Sequence, residues 1–403
     1  MNFLATLLIV AKASPDTFAA YAVGLSVLMI GSNWSDAGLA STLQVLATQS
    51  GNDRRGLEQY KEVGLRYAKR IVPLGLSITV GLTGVLFSKS QVFHAQGNFY
   101  LLAAFAVIGV VAARTSFWNA LLYSSGNFKR SSIVQAVPAV VRVILIGAAI
   151  TLTGLNFGLL MVLTLLPVVL GWGLARYAWW RTIAAMSCPS GQQRDVETNA
   201  EVWRFLKPTM ASVIFNSMSY NITLLGASFF TTGVSIAGYG LFQRINQAIV
   251  VLIGPLNTYV GRQLYMASPV ERRHKGRLYL VAGTSIYMIY GFVAVFIYLL
   301  LRQHVHHYSL NFQVEFIVFL LSNLFGFLFG MLDTVLVSTR TADHRIFGSS
   351  LFICLNTLLI LTLHPDNLLL MVIIDATCVL PSVVYYGYLF MRKRSCPAVC
   401  SRP

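Results

Sequence analysis

The sequence predicts an all-α polytopic membrane protein, with twelve transmembrane helices in two pseudo-symmetric six-helix bundles around a central cavity and a short first helix. Three observations predict it. Apolar runs of about 20 residues, the length a helix needs to cross a hydrocarbon core of about 30 Å, recur along nearly the whole chain. Lys and Arg gather in alternate connecting segments. A pattern near the start of the chain returns past its middle. Of the 403 residues, 56% are hydrophobic and 11% charged, against roughly a quarter charged in a soluble domain, which excludes an ordinary water-soluble fold.

The first run, "MNFLATLLIVAK" (1–12), makes a helix of about 18 Å, too short to cross alone, so the expected start lies upstream. It has no basic flank and no small-residue cleavage site before Pro15, so a cleaved signal is not expected. Spans follow at 18–47, 71–88, 99–123, 132–153 and 156–177, then at 206–230, 236–261, 278–301, 315–339, 346–363 and 367–391. The basic segments separate them in order. Arg54, Arg55, Lys61, Arg66, Lys69 and Arg70 follow the second span, and Lys129 and Arg130 follow the fourth. Arg176, Arg181, Arg194, Arg204 and Lys207 lie around the end of the sixth. Arg262, Arg272, Arg273, Lys275 and Arg277 follow the eighth, Arg340 and Arg345 the tenth, and Arg392, Lys393, Arg394 and Arg402 the twelfth. The intervening loops hold only Lys12, Lys89 and Arg302. Cytoplasmic loops retain positive charge, so both termini are expected in the cytoplasm. The formal charge of +16 is then mostly a topology signal, and a nucleic-acid partner, which needs its cations on one wet surface, is not expected.

The longest polar stretch, "MSCPSGQQRDVETNAEVW" (186–203), reads as a cytoplasmic linker. It divides the chain into an N-terminal bundle (1–185), a C-terminal bundle (204–395) and a cytoplasmic tail (396–403). A repeat supports two halves. "AYAVGLSV" answers to "GYGLFQRI" and "SGNDRRG" to "SPVERRH", pairing Tyr21 with Tyr239, Ser50 with Ser268, Asp53 with Glu271, and Arg54 and Arg55 with Arg272 and Arg273 at one constant spacing. "NALLYSS" (119–125) and "DTVLVST" (333–339) match more loosely. Both copies begin from the same side, so the repeat is parallel, about an axis along the membrane normal.

Cys188, Cys354, Cys378, Cys396 and Cys400 are scattered and give no disulfide framework; free thiols are expected. His304, His306 and His307 in "HVHH" read as a polar loop rather than a metal site. The "NWS" and "NIT" sequons fall inside spans, where glycosylation is not expected.

Chemistry is therefore sought among polar residues within spans. Three arginines lie there: Arg114, Arg142 and Arg244. On a helical projection with Gln243 as origin, Asn246 falls at about −60°, Gln247 at about 40° and Arg244 at about 100°, while Leu241, Ile245, Ala248, Ile249 and Leu252 take the other side. An arginine at mid-membrane costs about 2.5 kcal/mol or more unless it meets water or a partner. Two roles stay open for Arg244: a water-filled, anion-attracting cavity, or an ion pair with an acid of the other half. Arg142 shares a helical face with Gln135 and Pro138, and Arg114 precedes Trp118 by one turn, where stacking is an alternative role. The in-span acids Asp36, Asp333 and Asp375 are candidates either to bind a coupling proton or sodium ion or to neutralise the arginines. Gly24, Gly31 and Gly38, seven residues apart, and Asn323, Gly326 and Gly330 are expected to permit close helix packing. Arg54, Arg55, Arg272 and Arg273 are candidates to receive an anionic headgroup at the cytoplasmic ends of matched helices, although positive-inside retention also explains them. No hydrolase elbow, phosphate-binding loop or metal-ligand cluster is present in the sequence.

This layout, with "FAAYAVGLSVLMIGSNWSDAGLASTLQVLATQ" (18–49) and "WRFLKPTMASVIFNSMSYNITLLGASFFTTGVSIAGYGLFQRINQAIVVLIGPL" (203–256), resembles the multidrug/oligosaccharidyl-lipid/polysaccharide exporter superfamily and, within it, the Wzx-type O-antigen and polysaccharide flippases. The short first helix departs from the family pattern. The resemblance implies a non-enzymatic flippase of the bacterial plasma (inner) membrane, without a cofactor beyond a proton or sodium gradient. Its cargo would be a polyprenyl-diphosphate-linked oligosaccharide for O-antigen, exopolysaccharide or capsule assembly, and its partners membrane lipids and other glycan assembly and export proteins. Arg244, Arg142 and Arg114 would then face the diphosphate, with Gln243, Asn246 and Gln247 offering hydrogen bonds to sugar hydroxyls. Rival readings are a multidrug exporter of the same fold, a membrane glycan polymerase or ligase, for which a large outer loop is expected and not found, and a scaffold subunit.

Overall fold

The structure, a computed structural model, describes residues 2–49, 54–90, 99–152, 155–186, 198–219, 221–231, 233–266, 268–304, 313–337 and 342–392. Every regular element among them is a helix. They run α1 (Asn2–Lys12), α2 (Pro15–Asp36), α3 (Leu39–Gln49), α4 (Arg54–Lys89), α5 (Phe99–Ser124), α6 (Phe128–Leu152) and α7 (Phe157–Ala184). Then come α8 (Thr198–Ser219), α9 (Ile222–Ala227), α10 (Gly233–Met266), α11 (Pro269–His304), α12 (Gln313–Val337), α13 (Ala342–Leu363) and α14 (Leu368–Arg392). Eight of the described helices are long and apolar enough to cross a membrane: α2, α4, α5, α6, α7, α11, α12 and α14. The chain is a multi-span membrane protein. Of the four other predicted spans, the 11 residues of α1 are too few and α8 carries Glu201, Arg204 and Lys207; α10 and α13 contain side chains that lie outside the described residues.

Two predicted helices are broken. The run 18–47 is α2 and α3, separated by Ala37 (φ 44) and Gly38 (φ 76). Left-handed backbone costs a non-glycine residue about 1–2 kcal/mol, so the break needs support. Asp36 Oδ1 accepts the Ala40 N–H at 3.1 Å, satisfying a first-turn donor of α3. A Cβ on Gly38 would lie 2.7 Å from Thr209 Cγ2 of α8, so glycine serves here both for its φ and for the close approach. The cap predicts a split between two substitutions. Asp36→Asn, which keeps an acceptor, is expected to leave thermal stability in detergent nearly unchanged, whereas Asp36→Ala costs about 1 kcal/mol. The run 206–230 is likewise divided into α8 and α9, with Asn221 Nδ2 donating back to Ser217 O at 2.8 Å.

The helices form two compact units, residues 1–241 and 242–403. In the first, α2 is the central helix, with Phe18, Ala19, Ala20, Tyr21, Ala22 and Val23 wholly buried. It meets α5 along small residues. A Cβ on Gly31 would lie 3.2 Å from Ala106 O, and one on Gly109 would lie 2.6 Å from Leu28 O and 2.8 Å from Ser32 N. This is helix association through close backbone approach, the mode available where lipid removes the hydrophobic driving force. On α4, Gly75 sits as tightly against the Trp34 backbone, at 2.7 Å. Leu43, Leu57, Phe117, Trp179 and Leu206 form a buried apolar cluster. The seventh predicted span, α8, packs on α2, α3 and α4 and so lies in this unit. Trp34 Nε1 donates to Ser217 Oγ at 3.0 Å, Tyr60 Oη to Glu201 Oε2 at 3.1 Å, and Tyr67 stacks on Trp203 at 5.9 Å between centroids.

In the second unit Phe242 packs against Phe316, Phe319 and Tyr298, with centroids 4.9 to 5.9 Å apart. Helix α12 packs on α14, where Phe329 stacks on Tyr386 at 4.5 Å. Ser268 and Glu271 cap α11 reciprocally: Ser268 N donates to Glu271 Oε2 at 3.2 Å and Glu271 N to Ser268 Oγ at 3.4 Å. The repeat read in the sequence has a structural counterpart. Both paired arginine doublets open 36-residue helices, α4 and α11. Correspondence fails at the α2/α3 joint, since α10 runs unbroken over 34 residues. Large exposed apolar side chains such as Ile144, Leu152, Phe292, Phe296 and Val384 mark faces suited to hydrocarbon.

Candidate functional site

The in-span arginines are the sharpest departure from an apolar helix, and each stands in a different setting. In the first unit, Arg142 of α6 is half-buried and its guanidinium Nη2 donates to Tyr21 Oη of α2. Tyr21 Oη lies 3.2 Å from Thr164 Oγ1 of α7, and Thr164 donates in turn to Leu160 O at 2.8 Å. Because the threonine proton is committed to that carbonyl, Tyr21 donates to Thr164. A chain of donors thus runs from the guanidinium through two buried hydroxyls to a backbone acceptor, and each link polarises the next. It holds a half-buried cation against the inside of the unit.

In the second unit Arg244 of α10 is buried, with 8% of its surface exposed, and Nη1 donates to Gln247 Oε1 one turn along. Gln243, Asn246 and Gln247 are half-buried beside it. Asn246 is tied into the protein. Its Nδ2 donates to Asn323 Oδ1 of α12 at 2.6 Å and its Oδ1 accepts from Tyr287 Oη of α11 at 2.9 Å. Asn323 Nδ2 donates to Phe319 O at 2.9 Å, and Tyr290 Oη of α11 donates to Ile245 O. The Asn246 amide therefore locks α10, α11 and α12 together beside Arg244. A half-buried amide with its oxygen and one N–H matched inside a bundle fixes the registry of three helices.

Arg114 of α5 has a third setting. With Trp118 it lines a cavity of about 1240 Å³ on the first unit, walled by α4, α5 and α7.

The predicted acids also separate. Asp36 caps α3. Asp375 of α14 is half-buried and accepts from Ser322 Oγ of α12 at 3.2 Å. Asp333 lies on α12, and its side chain is outside the described residues. Among the headgroup candidates, Arg54 pairs with Glu58 Oε1 at 3.4 Å and donates to Met186 O at 3.2 Å. Arg272 Nε donates to Leu264 O at 2.9 Å, satisfying a carbonyl near the end of α10. Arg55 is exposed, and Arg273 lines a smaller groove of about 470 Å³ with Arg277, Gly387, Phe390 and Met391. Cys354 and Cys378 are free thiols. Cys188, Cys396, Cys400, His306, His307 and the His304 side chain lie outside the described residues. Among the described residues no His, Cys, Asp and Glu group has metal-site geometry.

Sequence reasoning missed Tyr21, Thr164, Tyr287 and Tyr290. Single hydroxyls in apolar spans give no signal until the fold shows which cation or amide they face.

No family model matches the sequence, and no curated protein matches it in sequence. Solved structures match the fold over nearly the full length. An inward-facing multidrug resistance MATE family transporter of the MOP superfamily superposes with a TM-score of 0.67 at 15% identity, covering 98% of this chain and 95% of that one. The lipid II flippase MurJ, in an inward closed conformation, gives 0.60 at 11% identity over 96% and 84%. The MATE transporter VcmN from Vibrio cholerae, in its bent form, gives 0.56 at 13% identity over 97% and 98%. The chain therefore has the fold of MOP superfamily transporters.

Proposed function

We propose that the protein is a flippase that moves a polyprenyl-diphosphate-linked oligosaccharide from the inner to the outer leaflet of a bacterial plasma membrane by alternating access, serving O-antigen, exopolysaccharide or capsule assembly. The observation that carries this reading is the buried Arg244 guanidinium, held within a span by Gln247 beside the Asn246 network. Retaining a permanent cation inside a bundle is costly and marks a path for charge. A diphosphate is the anion that such a cation suits, and the prenyl tail can remain in hydrocarbon. The fold supports the reading, since it is shared with a protein that carries the name lipid II flippase.

A second reading, multidrug export, is favoured by the superposition on MATE transporters. In-span arginines repel cationic drugs, which weighs against it.

Proteoliposomes separate the readings. Purified protein is expected to carry a fluorescent polyprenyl-diphosphate oligosaccharide to the opposite leaflet, read by accessibility to a membrane-impermeant quencher, and faster under an imposed proton or sodium gradient. Movement of a cationic dye but not of the lipid-linked sugar would establish drug export. A scaffold would move neither, and a glycan polymerase or ligase would lengthen or transfer the sugar without translocation.

A further inference from the structure

The groove on the first unit is large, basic and aromatic, and its lining does not include Arg244 or the Asn246 network. It lies between the Arg54 end of α4 and the closing turns of α5 and α7, at one end of the bundle, the end that positive-inside retention places toward the cytosol. Its volume of about 1240 Å³ exceeds the roughly 300–1,000 Å³ of a small-molecule pocket.

The charge in it is one-sided. Arg54 and Glu58 neutralise each other. Lys61, Arg66, Lys69, Arg114 and Arg176 remain, against one further carboxylate, Glu62. None of these five cations forms an ion pair among the described residues. On α4 the basic residues follow helical spacing along one face, while Leu57, Tyr60, Val63, Gly64 and Ala68 are buried on the other. Arg114 lies ten residues before the end of α5, about 15 Å along the helix and inside the predicted span 99–123. An arginine at that depth needs a polar partner.

The walls indicate an amphiphile rather than a free ion. Trp118, Trp172, Trp179 and Trp180 line the groove, and Arg176 stands 5.9 Å over the Trp172 ring, leaving its guanidinium edge available to an anion. Tryptophan is the residue of the membrane interface, apolar in its ring and polar at its N–H. Further along the same faces of α5 and α7 the surface turns apolar, with Val107 51% and Val162 41% exposed.

We propose that this groove binds an anionic glycerophospholipid of the surrounding bilayer, its phosphate among Lys69, Arg114 and Arg176 and its acyl chains along Val107 and Val162. Basic pockets between transmembrane helices on the cytosolic side take anionic headgroups in this way. Occupancy would fix α4, α5 and α7 relative to one another.

The test uses the full chain in phosphatidylcholine nanodiscs doped with brominated-chain phosphatidylglycerol, reading tryptophan fluorescence. Wild type is expected to be quenched more by brominated phosphatidylglycerol than by brominated phosphatidylcholine. Arg114→Gln and Arg176→Gln are each expected to weaken that preference about fivefold, at roughly the value of one cation near a membrane surface, while Arg277→Gln in the other unit leaves it intact. Each variant is first shown to be monodisperse and helical. Equal quenching by the two lipids, or equal loss in Arg277→Gln, would overturn the proposal. Displacement by inorganic phosphate would make the ligand a free anion, and displacement by trace polyprenyl diphosphate would make the groove a cargo site; both would overturn a resident lipid. Translocation is not read, so this result and the transport result stand independently.

Discussion

Replacing Arg244 with alanine is expected to abolish translocation while leaving a folded protein in the membrane. The guanidinium is buried, and its hydrogen bond to Gln247 runs along its own helix. The Asn246 to Asn323 and Tyr287 bonds that hold α10 to its neighbours remain. What disappears is the permanent charge that the proposed flippase would present to its anionic cargo. Losing one partner of a desolvated charge-assisted contact costs about 2–5 kcal/mol, so the transport rate in proteoliposomes should fall at least ~30-fold. Arg244→Lys should recover only part of it, because an ammonium keeps the charge but not the planar fork that grips a diphosphate. Wild-type rates from the alanine variant would remove Arg244 from the mechanism.

The largest effect on folding is expected from Gly109→Leu. The first side-chain atom would stand 2.6 Å from Leu28 O and 2.8 Å from Ser32 N, both backbone atoms of α2. A rotamer change cannot relieve a clash at Cβ, so α2 and α5 must separate, and α2 carries the most completely buried stretch of the first unit. Overpacking of this kind costs about 1–3 kcal/mol when neighbours can yield, and here the neighbours are helical backbone. The variant should lose thermal stability by several degrees or fail to yield monodisperse protein in detergent. Gly147→Leu on α6 is the control, because a Cβ there meets nothing within 4 Å. Equal stability of the two variants would refute the close-approach account.

The helical layout was legible because apolar length and the alternation of Lys and Arg are imposed by the bilayer, a solvent with few options. The joint at Ala37 and Gly38 was not. Its signal is a single Gly among several, and Gly24 and Gly31, with the same spacing, sit in unbroken helix where they admit Phe105 and Ala106. Only the tertiary contact with Thr209 distinguishes the third. Polarity within a span marked Arg142, Arg244 and Asn246 as unusual, but could not assign their partners. Tyr21 and Tyr287 lie 121 and 41 positions from Arg142 and Asn246 in the chain. Arg114 was visible as a cation and Trp118 as its neighbour on the same helix, whereas the wall supplied by Trp172 and Arg176 depends on how α7 docks on α5.

At 36 residues each, α4 and α11 are about 54 Å long, well beyond the roughly 30 Å of hydrocarbon. The surplus falls largely at their basic ends. On a wandering loop such charges would average to a diffuse cloud, but on a stiff rod they keep fixed bearings. Any polyanion arriving at either basic end meets a standing electrostatic pattern whose geometry it can match or fail to match.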